Sequence, residues 1–379
     1  MMSHKQQPNT STSNQALTSV LRTPAEEQYA QELEELSKLD RQENRACPPN
    51  WRLSPWGVRR YLLGEKLPNG FTVTTKYIGN PRVVEGAIAT LRTDRALLLY
   101  GVPGTAKSFL SEHLAAAISG DSTLVVQGTA GKDEPALSYN WNYALLLMRG
   151  MTEEALVPSP LMRAMQSGTI VRVEELTRLN SEVQDALISP LSEKTLAIPE
   201  LNMQVRAAMG FNLIATANNR DKGVNELSSA LLRRFNTITL PLPASLEEEV
   251  KIVEQRVASI SKMLALPGEL PALQEIQRIV TIFRDLRSGV SQAKGIKVRR
   301  PSGTLSPAEA ISVVIDGMSC AACFRGAPMR DRDCASGLVG AVVKDPQNDK
   351  TVFEEYLRTA LKGQSEWKPL YDACMEVLQ

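Results

Sequence analysis

The apolar positions of the chain follow two regimes that meet near Pro243. On the N-terminal side short apolar runs recur at Ala96–Tyr100, Thr123–Gln127, Thr169–Glu174, Phe211–Ala217 and Thr237–Leu242, with helically spaced stretches between them. Continuous runs of this length mark strands covered on both faces, so the pattern predicts an α/β fold with a parallel five-stranded sheet between layers of helix. Beyond Pro243 no strand pattern remains. Glu247-Glu248-Glu249 opens a helical spacing, and 244–379 reads as an all-helical second domain with loops near Ser288–Gly303 and Arg325–Asp333.

The N-terminal stretch is different again. Residues 1–23 are rich in Ser, Thr, Asn and Gln and are expected to be disordered. Pro24 to Arg45 is dense in Glu with Tyr29, Leu33 and Leu36 at helical spacing, which predicts an exposed acidic helix packed loosely on its neighbour. Trp51 to Leu63 is expected to pack on the following domain. The division predicted is therefore 1–60 as tail and acidic helix, 61–243 as the α/β domain, and 244–379 as the helical domain.

Composition narrows the class of protein. The chain has 379 residues, 43% of them hydrophobic, which is ample for two cores. A net charge of +1 gives no field for nucleic acid or an acidic surface, so neither partner is expected. The N-terminus lacks an apolar leader and no run approaches the roughly 20 apolar residues of a membrane span. Five cysteines without a paired framework fit a reducing compartment, so the expected location is the cytoplasm.

The chemistry centres on Ala96 to Ser119. The run Ala96–Tyr100 leads into Gly101-Val102-Pro103-Gly104-Thr105-Ala106-Lys107-Ser108. A helix pattern follows with Phe109, Leu110, His113, Leu114, Ala117 and Ile118 on one face and Gly120 as its stop. A buried strand, a Gly-rich turn ending in Lys-Ser and a helix form a phosphate cradle, because the turn's N–H groups converge on the anion at the helix N-terminus. Lys107 is placed to reach the β- and γ-phosphates and Ser108 to coordinate Mg²⁺. An ordinary Gly-Pro turn is the plain alternative, and the flanking strand and helix argue against it. ATP and Mg²⁺ are the expected ligands, with Gly101 to Phe109 lining the nucleotide.

Two further strands end in polar groups. Thr169–Glu174 is followed by Glu175, so two neighbouring carboxylates stand at a strand end: Glu174 for Mg²⁺ and Glu175 to activate water. Arg172 is a charge inside this strand, and only a place at the sheet edge or an unidentified partner would account for it. Phe211–Ala217 runs into Asn218, whose amide can hold the water or the γ-phosphate. Ser228 to Phe235 ends in Arg233-Arg234, which in the plainest reading satisfy the carbonyls of their own helix.

Together these segments resemble the MoxR family of AAA+ ATPases. That family's phosphate loop commonly has alanine before the lysine, as Ala106 is here. The resemblance implies a AAA+ P-loop NTPase sheet of order 5-1-4-3-2 with a helical lid, and a ring, expected to be a hexamer, that hydrolyses ATP between subunits. Glu175 would be the catalytic carboxylate, Asn218 the sensor and Arg234 the arginine finger inserted into the neighbouring subunit. The implied activity is chaperone-like remodelling of a client protein, with a von Willebrand factor A domain protein as partner. A metal-chelatase-like motor shares the machinery with a different client. A nucleotide-gated assembly subunit that binds ATP with little hydrolysis is the other alternative.

Three departures bear on hydrolysis. Glu174 stands where the family has aspartate, and Arg233 where it has an acid before the finger. Ala308, in Gly303-Thr304-Leu305-Ser306-Pro307-Ala308, aligns with the family's lid arginine, for which Arg299 or Arg300 is a candidate substitute, a solvated basic loop being the plainer reading of the two. Thr195 to Val205 is expected to form the family's pore-facing hairpin and Gln127 to Pro160 a second insertion, where Trp141 and Tyr143 are read as packing residues. Gly317-Met318-Ser319-Cys320-Ala321-Ala322-Cys323 looks like a metal-binding loop, but it continues a helical pattern, so helix packing is expected of Cys320 and Cys323.

Overall fold

A computed structural model describes residues 22–129, 137–218 and 225–379. The stretch 1–21, expected to be disordered, lies outside the described residues, as do parts of the Gln127 to Pro160 insertion and of the segment after Asn218.

The five predicted strands form one sheet: β1 (Ala96–Gly101), β2 (Val125–Gln127), β3 (Ile170–Glu174), β4 (Asn212–Asn218) and β5 (Phe235–Thr239). Their order is β5-β1-β4-β3-β2 and every pairing is parallel, which is the predicted topology. Alternation along β1 sorts its residues between two layers. Leu97 and Leu99 enter one core and Ala96 and Leu98 the other. The register pairs Asn218 with Gly101, so the amide strand ends level with the start of the phosphate turn. β3 runs between β4 and β2, so Arg172 is not at an edge.

The acidic N-terminal helix is anchored rather than loose. Leu33 and Leu36 of the helix Ala30–Gln42 are buried in the core on one face of the sheet. Asp40 there accepts from the Ser54 amide at 2.7 Å and its hydroxyl at 2.6 Å, pinning the next helix, Pro55–Leu63. The boundary expected at residue 60 therefore falls inside a helix of the sheet's own core. Of the acidic helix's glutamates Glu34 faces water, whereas Glu32 is buried against Lys76.

Beyond Pro243 the chain is helical as expected, with its own core. The helix Pro307–Arg325 is long and apolar enough to cross a membrane by length and composition, contrary to the expectation that no run comes close. It packs Ala310, Val313, Val314 and Met318 into that core. On the same helix Cys320 is half-buried and Cys323 exposed. The side chain of Glu249 is fully buried and accepts from Arg284 at 3.0 Å and Arg287 at 2.7 Å. Arg284 also donates to the carbonyls of Pro243 and Ser245, and Arg287 to that of Leu305.

Two hairpins leave the sheet domain. Thr195–Ile198 pairs antiparallel with Met203–Arg206, where a hairpin was expected. Tyr139–Trp141 pairs with Leu156–Pro158, enclosing a short helix, Tyr143–Arg149, with no buried residue. Tyr143 is 74% exposed, so the packing role expected of it is not found; a half-turn of apolar residues there meets water instead.

Candidate functional site

The phosphate turn is held by its own backbone. Gly101 and Gly104 have φ of 159° and 77°, and Ala106, at φ 62°, occupies the left-handed region that glycine enters without strain. Alanine's methyl is small enough for the loop to form. Thr105 closes the turn by donating its hydroxyl to the Val102 carbonyl at 2.9 Å. Lys107 opens the helix Lys107–Ser119 and folds back onto the carbonyls of Gly101 and Val102, at 3.1 and 2.8 Å. Gly120 ends that helix at φ 70°, as the sequence predicts.

Gly104 is constrained twice. A methyl added to it would lie 2.2 Å from Ser306 Cβ and Oγ, because the turn before the helix Pro307–Arg325 seats directly on the phosphate loop. Gly104→Ala should cost about 1–2 kcal/mol from the left-handed backbone alone, with the clash added, read as a lower midpoint of urea unfolding.

At the strand end the side chains converge on Glu174. Its Oε2 accepts from Ser108 at 2.6 Å and Thr216 at 2.7 Å, and its Oε1 from Ser111 at 2.5 Å and Arg172 at 2.8 Å. Burial alone would raise this carboxyl, but the Arg172 guanidinium and the three hydroxyls outweigh it and hold the group below its usual range. Arg172 lies two residues before Glu174 on the same face of β3. It also reaches Ser111 Oγ at 3.0 Å and the carbonyls of Ser122 and Ser108 at 2.9 and 3.1 Å. The charge that the sequence left without an account is the counter-ion of its own neighbour.

Glu175 diverges from Glu174 because the chain turns left-handed there, at φ 55°. Its amide donates to Thr216 Oγ1 at 3.0 Å, and its carboxylate pairs with Arg178 at 2.7 Å. Thr216 thus grips both glutamates, a role not read from the sequence. The available signal was its place two residues before Asn218, on the same side of β4.

A cavity of about 1480 Å³ joins these groups. Pro103 to Phe109, Glu175, Thr216 and Asn218 line one side, Tyr29 and Lys76 to Asn80 a second, and Arg256, Pro307 and Ala308 of the helical part a third. Lys76 is committed within this wall to Glu32 and sits 4.3 Å from the ring centroids of both Tyr29 and Tyr61.

Three predicted residues lie elsewhere. Arg234 donates to Ser192 Oγ at 2.7 Å and to the Ala230 carbonyl, away from this cavity. Neither candidate for the lid arginine reaches the cavity: Arg299 lies 3.8 Å from Glu355, and Arg300 donates to the Ser288 carbonyl at 2.6 Å. Both sit exposed on the loop before Pro301, which is the solvated basic loop that was the plainer of the two readings.

Residues 96–235 match the AAA domain of the dynein-related subfamily, and 247–378 match the YehL-like AAA+ ATPase C-terminal domain. YehL of Escherichia coli (strain K12) is 40% identical over 362 residues, which cover 93% of this chain and 96% of YehL. Midasin of Dictyostelium discoideum is 31% identical over 151 residues, 36% of this chain and 2% of midasin. A crystal structure of NtrX from Brucella abortus superposes with a TM-score of 0.48 at 12% identity, over 79% of this chain and 62% of that one. The chain belongs to the YehL family of AAA+ ATPases, with an AAA domain of the dynein-related type followed by a YehL-like C-terminal domain.

Proposed function

We propose that this protein is a MoxR-like ATPase, hydrolysing ATP at the subunit interfaces of a ring to remodel or mature a client protein. The observation that carries the reading is the convergence of Lys107, Ser108, Glu174, Glu175, Thr216 and Asn218 at one end of a cavity large enough for a nucleotide. Lys107 and the loop amides bind the phosphates, Asn218 orients the γ-phosphate, and Glu175 takes the proton of the attacking water. The Ser108 hydroxyl and the Glu174 carboxylate are hard oxygen donors beside the phosphate cradle, and they fit Mg²⁺. Held by these two residues, Mg²⁺ would supply charge neutralisation to the phosphates.

Arg234 is not among the residues lining its own chain's cavity, which fits a finger acting on a neighbour, while its bond to the Ala230 carbonyl is the plain reading of a residue satisfying its own helix. The hexamer and the von Willebrand factor A domain partner are part of the same proposal and rest on the MoxR resemblance, and the cytoplasmic location rests on the unpaired cysteines. A second reading, a nucleotide-gated scaffold with little turnover, draws support from Glu174, whose oxygens already hold four donors, one of them cationic.

Native mass and ATP turnover separate the two. For the motor, ATP should assemble a ring, and Arg234→Ala should lower turnover at least about tenfold with ATP affinity unchanged, because a finger in trans acts on the transition state. A ring that assembles with ATP while wild type and Arg234→Ala share one background rate would favour the scaffold.

A further inference from the structure

We infer that Arg256 is a nucleotide-binding residue, supplied by the helical part to the phosphates nearest the nucleoside. This rests on the nucleotide reading of the cavity.

Arg256 lies on the helix Leu246–Met263 and lines the cavity together with the phosphate loop. Its guanidinium stacks on the ring of Phe109, 4.3 Å from the centroid. Stacking uses the face of the planar group and leaves its N–H edge open to acceptors. Phe109 follows Ser108 along the helix, so this cation stands beside the phosphate cradle, and Tyr29 lies near enough to interact with its charge.

Among the described residues the guanidinium has no ion pair and no hydrogen bond. The nearby acids are already committed: Glu112 to Arg22 at 2.6 Å, Glu32 to Lys76, and Glu248 to the Ala244 amide at 2.7 Å. Burial lowers its pKa from the usual arginine value, the direction expected when a cation is desolvated without a partner. A half-buried unpaired charge is unfavourable until an anion meets it. The other cations lining the cavity differ: Lys76 is paired, Lys107 lies on the loop carbonyls, and Lys262 is exposed.

The ligand class is a nucleoside polyphosphate whose inner phosphate oxygens accept from the free guanidinium edge. Because that contact is shared by di- and triphosphate, ATP and ADP should depend on it alike. It also makes the helical part a direct reader of bound nucleotide, through a helix other than the one carrying Ala308.

The test is calorimetric titration of ATP and of ADP into the full chain as wild type, Arg256→Met, Arg256→Lys and Lys107→Ala, with a ligand-free melting curve for each. Methionine keeps an unbranched stem against Phe109, so the ligand-free melting temperature should hold or rise. Both affinities should fall about tenfold to a hundredfold in Arg256→Met, the effect of losing charge-assisted hydrogen bonds, and recover in part in Arg256→Lys. Affinities within twofold of wild type would overturn the assignment, as would a loss confined to ATP, which would put the arginine on the terminal phosphate. A lower ligand-free melting temperature with unchanged affinities would make Arg256 a packing residue only. If wild type bound neither nucleotide, the nucleotide reading itself would fall, and this assignment with it. A loss in Lys107→Ala without one in Arg256→Met would leave that reading intact and remove only Arg256.

Discussion

Exchanging Glu175 for glutamine should lower ATP turnover by between about 10² and 10⁴, the usual contribution of a general base, while ATP affinity stays near wild type. The substitution keeps the shape and removes the charge. Glu175 is free to act because the backbone turns away from Glu174 at φ 55°, separating neighbouring carboxylates into two environments. Glu174 is 4% exposed and surrounded by donors, whereas Glu175 lines the cavity and pairs with Arg178. Single-turnover hydrolysis beside equilibrium binding separates chemistry from affinity. Equal single-turnover rates for variant and wild type would remove Glu175 from the reaction and move weight to the scaffold reading.

Replacing Arg172 by leucine should destabilise the folded chain by about 3–5 kcal/mol, the usual consequence of leaving a buried charge without its partner. Arg172 and Glu174 are 8% and 4% exposed, so water cannot take the place of the lost guanidinium. The same change frees the Ser108 and Ser122 carbonyls from a donor. The double variant Arg172→Leu with Glu174→Gln should recover much of the loss, because it removes both charges. Urea unfolding of the two single variants and the double gives the coupling directly. Additive effects would mean that the pair is not a unit.

The large features were legible because they are local or periodic. The five strands, the turn at Gly101 to Ser108 and the stop at Gly120 each follow from runs, spacing or a motif a few residues long, while the strand order came with the family resemblance. What the sequence could not show is side-chain convergence between distant segments. Arg172 looked anomalous because three of its partners, at Ser108, Ser111 and Ser122, lie some fifty to sixty residues away across the fold. Arg256 passed unremarked for the same reason, since its setting depends on Phe109 and Tyr29. The N-terminal helix was misjudged on its charge density, because three buried leucines are enough to anchor thirteen residues. Arg299 and Arg300 were candidates by proximity in sequence to Ala308, and the loop's path takes both away.

Glu249 has a mechanical consequence. The helical part meets the α/β part where the chain crosses at 243–245 and where Ser306 rests on Gly104. Arg284 ties the first place to this carboxylate, and Arg287 ties it to Leu305, one residue before the second. Pivot and foot are thus fastened to one rigid bracket. One buried carboxylate is thereby the common anchor of the two places where the parts meet.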